Sequence, residues 1–365
     1  MRIDFKGRLV DEPQVRAGFI GCGSHSFRNL FPTFQFAPVQ LAATCDLSLE
    51  KARAFAAKFG ASAAYGDHRR MIEKEKLDCV FICTGYDAAG RPTYPKLAID
   101  CLDAGLHVWI EKPPAASCRE IEEMQKHAAA AGRNVMVGLK KMFFPANEKA
   151  RRLMDEEDFG RPSLAMMQYP QYVPTQEEFD RYRKGDNVGS VTGFLDHLCH
   201  PASVMLLFLG MPRGLYYRRS DCGSGLAVFT FASGAAASLA LTHGSSCAGG
   251  MERTTIVSDK GRHIVVENNI RVSYCRGGLP GYGDRPDFYT SSADQTTAHW
   301  EPEFSLGQLY NKGLFLLGYY GEVNEFARSI LDRRPVAKAS LEHAWQVTRI
   351  FEAFTSGEGR NIELD

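Results

Sequence analysis

The sequence lacks an excess of either charge, a CxxC motif and a long hydrophobic segment. Its 43 basic and 43 acidic residues give a formal net charge of zero. Nucleic-acid and anionic-membrane partners usually require a basic excess, so we expect neither. The longest apolar stretch, near residues 204–209, is too short to cross a bilayer. The first residues, MRIDFKGRLVDEP, lack the apolar run of a signal peptide, so we expect a cytoplasmic protein.

The ten cysteines are not spaced like a disulfide framework or a paired metal motif. Several lie in apolar runs or on predicted helix faces: Cys22, Cys45, Cys79, Cys83 and Cys101. This usage is typical of small buried side chains in a reducing compartment. A chain of 365 residues also needs no covalent staple to bury a core, and its length predicts about two domains.

Short apolar runs alternate with amphipathic segments over the first third of the chain. The predicted strands are residues 15–22, 39–45, 79–83, 107–110 and 134–138, and the predicted helices are 49–59, 68–76, 94–104 and 119–131. Near-continuous apolar strands separated by helices are typical of a parallel sheet covered on both faces. We therefore predict an α/β fold whose residues 1–143 form a doubly wound Rossmann domain.

The pattern changes after about residue 145. A predicted helix at 146–156 is followed by closely spaced strands, a helix near 201–209, and closing helices at 314–331 and 341–354. The predicted strands are 163–169, 226–231, 235–242, 254–258, 263–267 and 270–274. Short connections favour antiparallel neighbours, so residues 144–365 should form an α+β domain with an open, mostly antiparallel sheet for substrate binding and oligomerisation.

Two features of this second part indicate binding surfaces. Residues 277–303 are rich in Gly, Pro, Asp and aromatics, which is typical of a lid, a binding loop or a subunit contact. The open sheet also has an apolar face that something must cover. We therefore expect a homodimer or a homotetramer.

A glycine-rich turn, GFIGCGSHS at residues 18–26, follows the first predicted strand. Gly21 allows a tight turn and Gly23 allows close approach to a pyrophosphate, which the next helix N-terminus favours. Ser26 stands where the third glycine of this fingerprint usually lies. Asp46, about 20 residues further on at the end of the second strand, could accept from ribose hydroxyls. It would repel a 2′-phosphate, so NAD is favoured over NADP; the alternative is a plain turn without nucleotide.

Residues 107–114, HVWIEKPP, place Glu111 and Lys112 directly after a predicted parallel strand. Ligands of doubly wound sheets bind at this edge. A lysine beside a cationic nicotinamide would have a lowered pKa and could share a proton with an alcohol oxygen. The alternative is an ordinary exposed ion pair at the end of a strand.

Together these segments resemble the Gfo/Idh/MocA oxidoreductases, which include glucose–fructose oxidoreductase, inositol dehydrogenase and many sugar dehydrogenases. The resemblance rests on the glycine turn, Thr84, AGLHVWIEKPPA at 104–115, GFLDHLCH at 193–200 and the closing segment 321–365. It implies that Lys112, Asp196 and His200 are catalytic, with Lys112 and His200 on the reacting hydroxyl and Asp196 orienting them.

The residues themselves allow more than one arrangement of Asp196 and His200. Their i,i+4 spacing would put both on one helix face. If a helix begins at Pro201 instead, its dipole would lower the pKa of His200 and keep the ring neutral. Asp196, His197, Cys199 and His200 could also bind a metal, although we expect none, or Asp196 could simply cap a helix.

The sequence departs from the family pattern in two places. After Thr84 it has Gly85, Tyr86 and DAAGRP, about five residues more than usual, and Tyr94 stands at a position where the family often has histidine. After the predicted strand at 134–138 it has Lys140 and Lys141, which could point into the substrate cleft or form a solvated pair.

We therefore predict an NAD-dependent dehydrogenase for a secondary alcohol of a sugar, glycoside or cyclitol. Two alternatives stay open: a redox-neutral glycosidase-type enzyme with bound NAD, and a catalytically silent sensor. The predicted cofactor residues are Gly21, Cys22, Gly23, Ser24, His25, Ser26, Asp46, Thr84, Gly85, Tyr86, Glu111 and Lys112. The predicted substrate residues are Lys140, Tyr169 and His197, with Tyr172, Tyr282 and Trp300 as further aromatics that could stack on a sugar ring.

Overall fold

The computed structural model describes residues 12–156, 158–246, 250–276, 297–303 and 312–364. Its first sheet has six parallel strands in the order β3-β2-β1-β4-β5-β6. These strands are β1 (Val15–Ile20), β2 (Val39–Cys45), β3 (Ala63–Tyr65), β4 (Cys79–Ile82), β5 (His107–Ile110) and β6 (Val135–Val137). This order is that of a doubly wound nucleotide-binding sheet, so the predicted fold class is confirmed.

The strands of this sheet are apolar on both faces because helices cover both sides. Phe19, Phe81 and Trp109 come from three neighbouring strands and are fully buried. The covering helices are α1 (Phe31–Thr33, after a π-helical turn at Ser26–Leu30), α2 (Leu49–Phe59), α3 (His68–Lys74), α4 (Tyr94–Asp103) and α5 (Cys118–Ala131). The three-residue strand β3 escaped prediction because Ala63–Tyr65 is too short to show a periodicity.

The second sheet has nine strands in the order β14-β13-β12-β11-β7-β10-β9-β8-β15. Only the central pair, β7 with β10, is parallel among the pairs described, and the others are antiparallel. The strands are β7 (Pro162–Tyr169), β8 (Pro212–Arg219), β9 (Gly225–Phe231), β10 (Ala236–Leu241), β11 (Arg253–Ser258), β12 (His263–Glu267), β13 (Arg271–Cys275), β14 (Thr297–Trp300) and β15 (Ile362–Glu363). The predicted open, mostly antiparallel sheet is confirmed.

Helix α8 (Gly189–Leu209) is longer than the sequence predicted. It begins twelve residues before Pro201, which lies inside the helix. By length and composition α8 could cross a membrane, but 67% of its most apolar window is buried inside the fold, as in a core helix. The other helices of this part are α6 (Pro145–Met154), α7 (Gln176–Arg183), α9 (Lys312–Leu316), α10 (Tyr319–Leu331) and α11 (Leu341–Thr355).

The last helices pack back against the first sheet. Glu352 on α11 accepts a hydrogen bond from the backbone N–H of Cys118, at 2.9 Å, and Ser340 forms an isolated bridge with Met136 of β6. Phe326 of α10 stacks edge-on against Phe81 of β4. The end of the chain therefore packs against the first sheet and its helix α5. The domain boundary at 143/144 stays a prediction.

The structure describes only part of segment 277–303 and nine of the ten cysteines. Most of segment 277–303, including Tyr282, lies outside the described residues, while β14 occupies part of the remainder. The nine cysteines that the structure describes are free thiols, and seven of them are buried.

Substitution of Ser117 by alanine should destabilise the fold by about 1 kcal/mol. Ser117 is the N-cap of α5, where its hydroxyl accepts from Glu120 N–H while the Glu120 carboxylate accepts from Ser117 N–H. Urea unfolding of the variant would measure the loss. Lys126→Ala, on the exposed face of the same helix, is the control and should stay within about 0.5 kcal/mol.

Candidate active site

The glycine turn after β1 can be formed only by glycine at its first position. Gly21 has a φ of 105°, and a Cβ there would lie 2.0 Å from the Cys83 carbonyl oxygen. A Cβ at Gly23 would meet nothing within 4 Å, so the backbone there faces open space. Ser26 donates its hydroxyl to Gly21 O at 2.8 Å, which closes the turn without a third glycine.

A cavity of about 1040 Å³ opens beside this turn, at the carboxyl ends of β1, β2 and β4. Its size and its open backbone fit a dinucleotide, whose pyrophosphate would lie against Gly23. All of the predicted cofactor residues except Glu111 and Lys112 line it: Gly21, Cys22, Gly23, Ser24, His25, Ser26, Asp46, Thr84, Gly85 and Tyr86.

Asp46 at the end of β2 both lines the cavity and holds the turn. One carboxylate oxygen accepts from Cys22 N–H at 2.8 Å, and the other accepts from Ser48 N–H at 2.9 Å. A carboxylate oxygen has lone pairs for more than one donor, so these bonds leave capacity for ribose hydroxyls. The predicted negative charge is thus located at the cavity wall.

Glu111 links the glycine turn to the end of β5. It is 5% exposed, and its carboxylate lies 2.9 Å from Nε2 of His25. Its other oxygen accepts from the backbone N–H of Lys112 at 2.7 Å. Glu111 therefore contacts the cavity through His25 rather than lining it directly.

Lys112 and Asp196, which the sequence separates by 84 residues, form an ion pair. Lys112 Nζ lies 2.7 Å from Asp196 Oδ1, with the two side chains 15% and 25% exposed. Tyr86 donates its hydroxyl to the same oxygen at 2.8 Å. The end of β5, helix α8 and the loop after β4 thus meet at one carboxylate.

The charge of Lys112 is well compensated. Burial lowers the pKa of its ammonium, but Asp196 and Glu111 outweigh burial and raise the pKa above its ordinary value. The expectation of a lowered pKa concerned Lys112 beside a bound cationic nicotinamide, and it stays a prediction. The neighbouring carboxylates make Lys112 a firm hydrogen-bond donor.

His200 lies in the interior of α8, so the dipole at a helix N-terminus does not act on it. The alternative in which a helix begins at Pro201 is wrong, because the helix begins at Gly189. Burial, together with the cations Lys141, Lys112 and Lys140, lowers the pKa of His200 well below its ordinary value. The ring is therefore neutral for a different reason from the one expected.

The Asp196 side chain contacts Lys112 and Tyr86, and among the described residues no hydrogen bond joins the side chains of Asp196 and His200. The predicted triad is therefore a lysine–carboxylate pair with a neutral imidazole nearby. Cys199 is buried and donates to Leu195 O, and within the described residues no group of three or more His, Cys, Asp or Glu side chains could hold a metal ion.

Lys140 and Lys141 are not a solvated pair. Lys140 donates to the Tyr319 hydroxyl at 2.6 Å, and Lys141 pairs with Glu252 and lies 4.6 Å from the centroid of the Tyr169 ring. Burial lowers the pKa of Lys141 to about 8, although Glu252 acts against it. Both ammonium groups belong to the cationic surroundings of His200.

The predicted substrate residues Tyr169 and His197 are adjacent. The Tyr169 hydroxyl lies 3.4 Å from His197 Nδ1, and His197 Nε2 lies 3.8 Å from Asp196 Oδ2. The other aromatics are engaged elsewhere: Tyr172 donates to Glu178, and Trp300 lies under the ammonium of Lys149.

Sequence reasoning missed three partners in this site. Glu252 for Lys141, Tyr319 for Lys140 and the Tyr86 bond to Asp196 all join residues that are more than 100 positions apart. No local pattern marks such pairs. The unusual length of the segment after Thr84 was the one available signal for Tyr86.

Comparison with known proteins begins with the first sheet. Residues 15–139 match the model GFO_IDH_MocA, described as an oxidoreductase family with an NAD-binding Rossmann fold. The matched region ends just after β6 and contains the glycine turn, Asp46 and Lys112.

Three curated relatives are dehydrogenases. A 1-carboxy-3-chloro-3,4-dihydroxycyclohexa-1,5-diene dehydrogenase of Comamonas testosteroni is 31% identical, over 40% of this chain and 36% of its own length. D-xylose 1-dehydrogenase (NADP(+)) 2 of Haloferax volcanii is 27% identical over 56% and 62%. The scyllo-inositol 2-dehydrogenase (NADP(+)) IolU of Bacillus subtilis is 29% identical over 47% and 49%. The chain thus spans about half the length of these relatives.

Solved structures extend the likeness over nearly the whole chain. A dehydrogenase from Chromobacterium violaceum has a TM-score of 0.76 at 20% identity, covering 95% of this chain and 96% of its own. A myo-inositol 2-dehydrogenase from Lactobacillus plantarum has a TM-score of 0.69 at 19% identity, covering 96% and 100%. At these identities the likeness is one of fold, and it includes the second sheet.

Substitution of Glu252 by glutamine should lower the pKa of Lys141 further below about 8. The carboxylate is the main influence that raises this pKa, and removing its charge leaves burial and the neighbouring lysines unopposed. An NMR titration of the lysine ¹³Cε signals would measure the change.

The matched control is Glu267→Gln, which removes a carboxylate that pairs with Arg253 instead. It should leave the Lys141 midpoint unchanged. A Lys141 midpoint that is the same in all three proteins would show that Glu252 does not influence the ammonium.

Proposed function

Because residues 15–139 of this chain match the model of the Gfo/Idh/MocA oxidoreductase family, we propose that the protein is an NAD(P)-dependent dehydrogenase acting on CH–OH groups. Its substrate is a secondary alcohol of a sugar, glycoside or cyclitol, or the corresponding ketone. The observation that carries the proposal is the Lys112–Asp196 pair, which lies next to the residues that line the dinucleotide-sized cavity.

NAD(P)⁺ supplies the hydride acceptor when it is bound. Lys112 has N–H donors beyond the one that Asp196 accepts, so it can also donate to the oxygen of the reacting carbinol. This ammonium stabilises the negative charge that develops on that oxygen as the hydride leaves carbon. Asp196 fixes the direction of the ammonium and thereby preorganises the site.

His200 accepts the hydroxyl proton in this proposal. Its ring is neutral because burial and the surrounding lysines lower its pKa, so it has a lone pair to offer at neutral pH. In the reverse reaction His200 returns the proton while the carbonyl carbon receives the hydride. Atoms and charge balance as one hydride to the cofactor and one proton to the imidazole.

NAD is the proposed cofactor, with NADP as the less favoured one. Asp46 places a carboxylate on the cavity wall, where it accepts from ribose hydroxyls and repels a 2′-phosphate. The curated relatives include enzymes named for NADP(+), so the preference needs its own test.

The exposed face of the second sheet supports a homodimer or homotetramer. Apolar side chains of neighbouring strands lie on it: Leu164, Met166, Tyr216, Leu226 and Val228. A second copy would remove them from water. Light scattering of the purified chain tests this, and a monomer would contradict it.

No observation favours the redox-neutral or the sensor alternative.

Lys112→Ala should lower kcat by roughly 10²–10⁴-fold, because the developing oxyanion loses its charged donor. NAD affinity should change by only a few fold, since Lys112 does not line the cavity. The assay is NADH formation across monosaccharides, glycosides and inositols, with NADH oxidation for their keto forms.

Lys126→Ala, an exposed lysine on α5, is the control and should retain full activity. His200→Ala should lose turnover as well. Near-normal hydride transfer in both Lys112→Ala and His200→Ala would refute the mechanism.

Asp46→Ser should weaken NAD binding and reduce the NAD:NADP preference by about tenfold or more, since the acceptor and the repulsive charge are both removed. Fluorescence titration with the two reduced cofactors would measure both effects. Asp103→Asn, an exposed aspartate outside the cavity wall, should leave both affinities unchanged. An unaltered preference in Asp46→Ser would remove Asp46 from the nucleotide site.

A further inference from the structure

The hydroxyl of Tyr86 has a fixed hydrogen-bonding direction. A carboxylate oxygen only accepts, so the Tyr86 O–H must donate to Asp196 Oδ1. Burial and the Asp196 charge raise the pKa of this phenol, which therefore keeps its proton. Among the described residues no donor bonds to the phenol oxygen, so its lone pairs are available to a ligand.

Lys112 has the opposite hydrogen-bonding role to the Tyr86 oxygen. Its ammonium only donates, and it shares Asp196 Oδ1 with the phenol. Since both groups bond to one oxygen atom, they lie side by side, within the span of two hydrogen bonds. The site thus presents a donor and an acceptor next to each other.

Tyr86 also faces the cavity. It lines the wall together with Thr84 and Gly85, and it is 40% exposed. A ligand that reaches Lys112 from the cavity therefore passes next to the phenol oxygen.

The loop that carries Tyr86 is held firmly against the second part of the chain. It closes as a hairpin, with a bridge between Tyr86 and Pro92. Asn187 donates to Ala88 O at 3.0 Å, and Thr192 donates to Gly90 O at 3.0 Å. These bonds fix the position of the phenol before any substrate arrives.

We propose that Tyr86 is a specificity-determining residue whose phenol oxygen accepts a hydrogen bond from the hydroxyl adjacent to the one that Lys112 binds. This inference rests on the proposed dehydrogenase function and narrows its substrates to vicinal diols. The reacting oxygen accepts from Lys112, and the neighbouring group must donate to Tyr86. A hydroxyl fulfils that requirement, whereas a hydrogen atom, an ether or a carbonyl at the same position does not.

The test compares matched pairs of alcohols with NAD as the oxidant. The pairs are trans-cyclohexane-1,2-diol with cyclohexanol, and D-glucose with 2-deoxy-D-glucose. The wild-type protein should favour the diol of a pair by about tenfold in kcat/KM, the effect of one hydrogen bond. In Tyr86→Phe this ratio should fall to within about threefold, even where both rates decline.

The ratio separates substrate recognition from a structural effect. A variant that only disturbs Asp196 or the loop lowers both members of a pair alike and leaves the ratio unchanged. Tyr182→Phe is the matched control, because Tyr182 packs under Arg91 at the base of the same loop and its buried hydroxyl has no hydrogen-bond partner in the described structure. It should retain the wild-type ratio.

The outcomes distinguish failure of the Tyr86 role from failure of the proposed dehydrogenase function. Turnover of both members of a pair without preference, or a preference that persists in Tyr86→Phe, overturns the role of Tyr86 and leaves the dehydrogenase proposal standing. If none of the compounds yields NADH, the role of Tyr86 and the dehydrogenase proposal are both contradicted.

Discussion

The candidate site depends on one partly buried ion pair, between Lys112 at the end of β5 and Asp196 on α8. Lys112 follows the nucleotide-binding sheet directly, and its position is therefore set by the strand. Asp196 belongs to a helix of the second part of the chain. The pair can form only when the first sheet and α8 are packed in one arrangement. The packing that completes the fold therefore also assembles the candidate site.

The candidate site brings several charged side chains together around His200. Three lysines, Lys112, Lys140 and Lys141, act on His200, whose ring burial keeps neutral. The carboxylates Asp196 and Glu111 act in turn on Lys112, and Glu252 acts on Lys141. Each ammonium has a polar partner: Lys112 and Lys141 pair with carboxylates, and Lys140 donates to the Tyr319 hydroxyl. The shared Asp196 carboxylate also fixes the hydrogen-bonding direction of Lys112 and Tyr86. Lys112 donates, Asp196 accepts, and the Tyr86 oxygen is left as an acceptor. This difference is the basis of the selectivity for vicinal hydroxyls that we propose.

Much of this could be predicted from local patterns. The strands of the parallel sheet were recognisable because both faces are buried and each reads as a short apolar run, as in the buried CVFI of β4. The glycine turn and Asp46 were recognisable because their spacing is set by one βαβ unit. Helix α8 was misjudged, since Pro201 resembles a helix start, while the structure tolerates it inside a buried helix. The short strands β3 and β15 carry too few residues to show any periodicity.

The sequence alone determined the doubly wound sheet, the glycine turn and the candidate site residues next to the strand ends, because these follow from patterns among residues near each other in the chain. Only the tertiary structure decided that Asp196 bonds to Lys112 and Tyr86, that Glu252 neutralises Lys141, and that His200 is neutral through burial. Such pairings join positions more than 80 residues apart. Their geometry depends on how sheet, helix and loop pack, which no local pattern encodes.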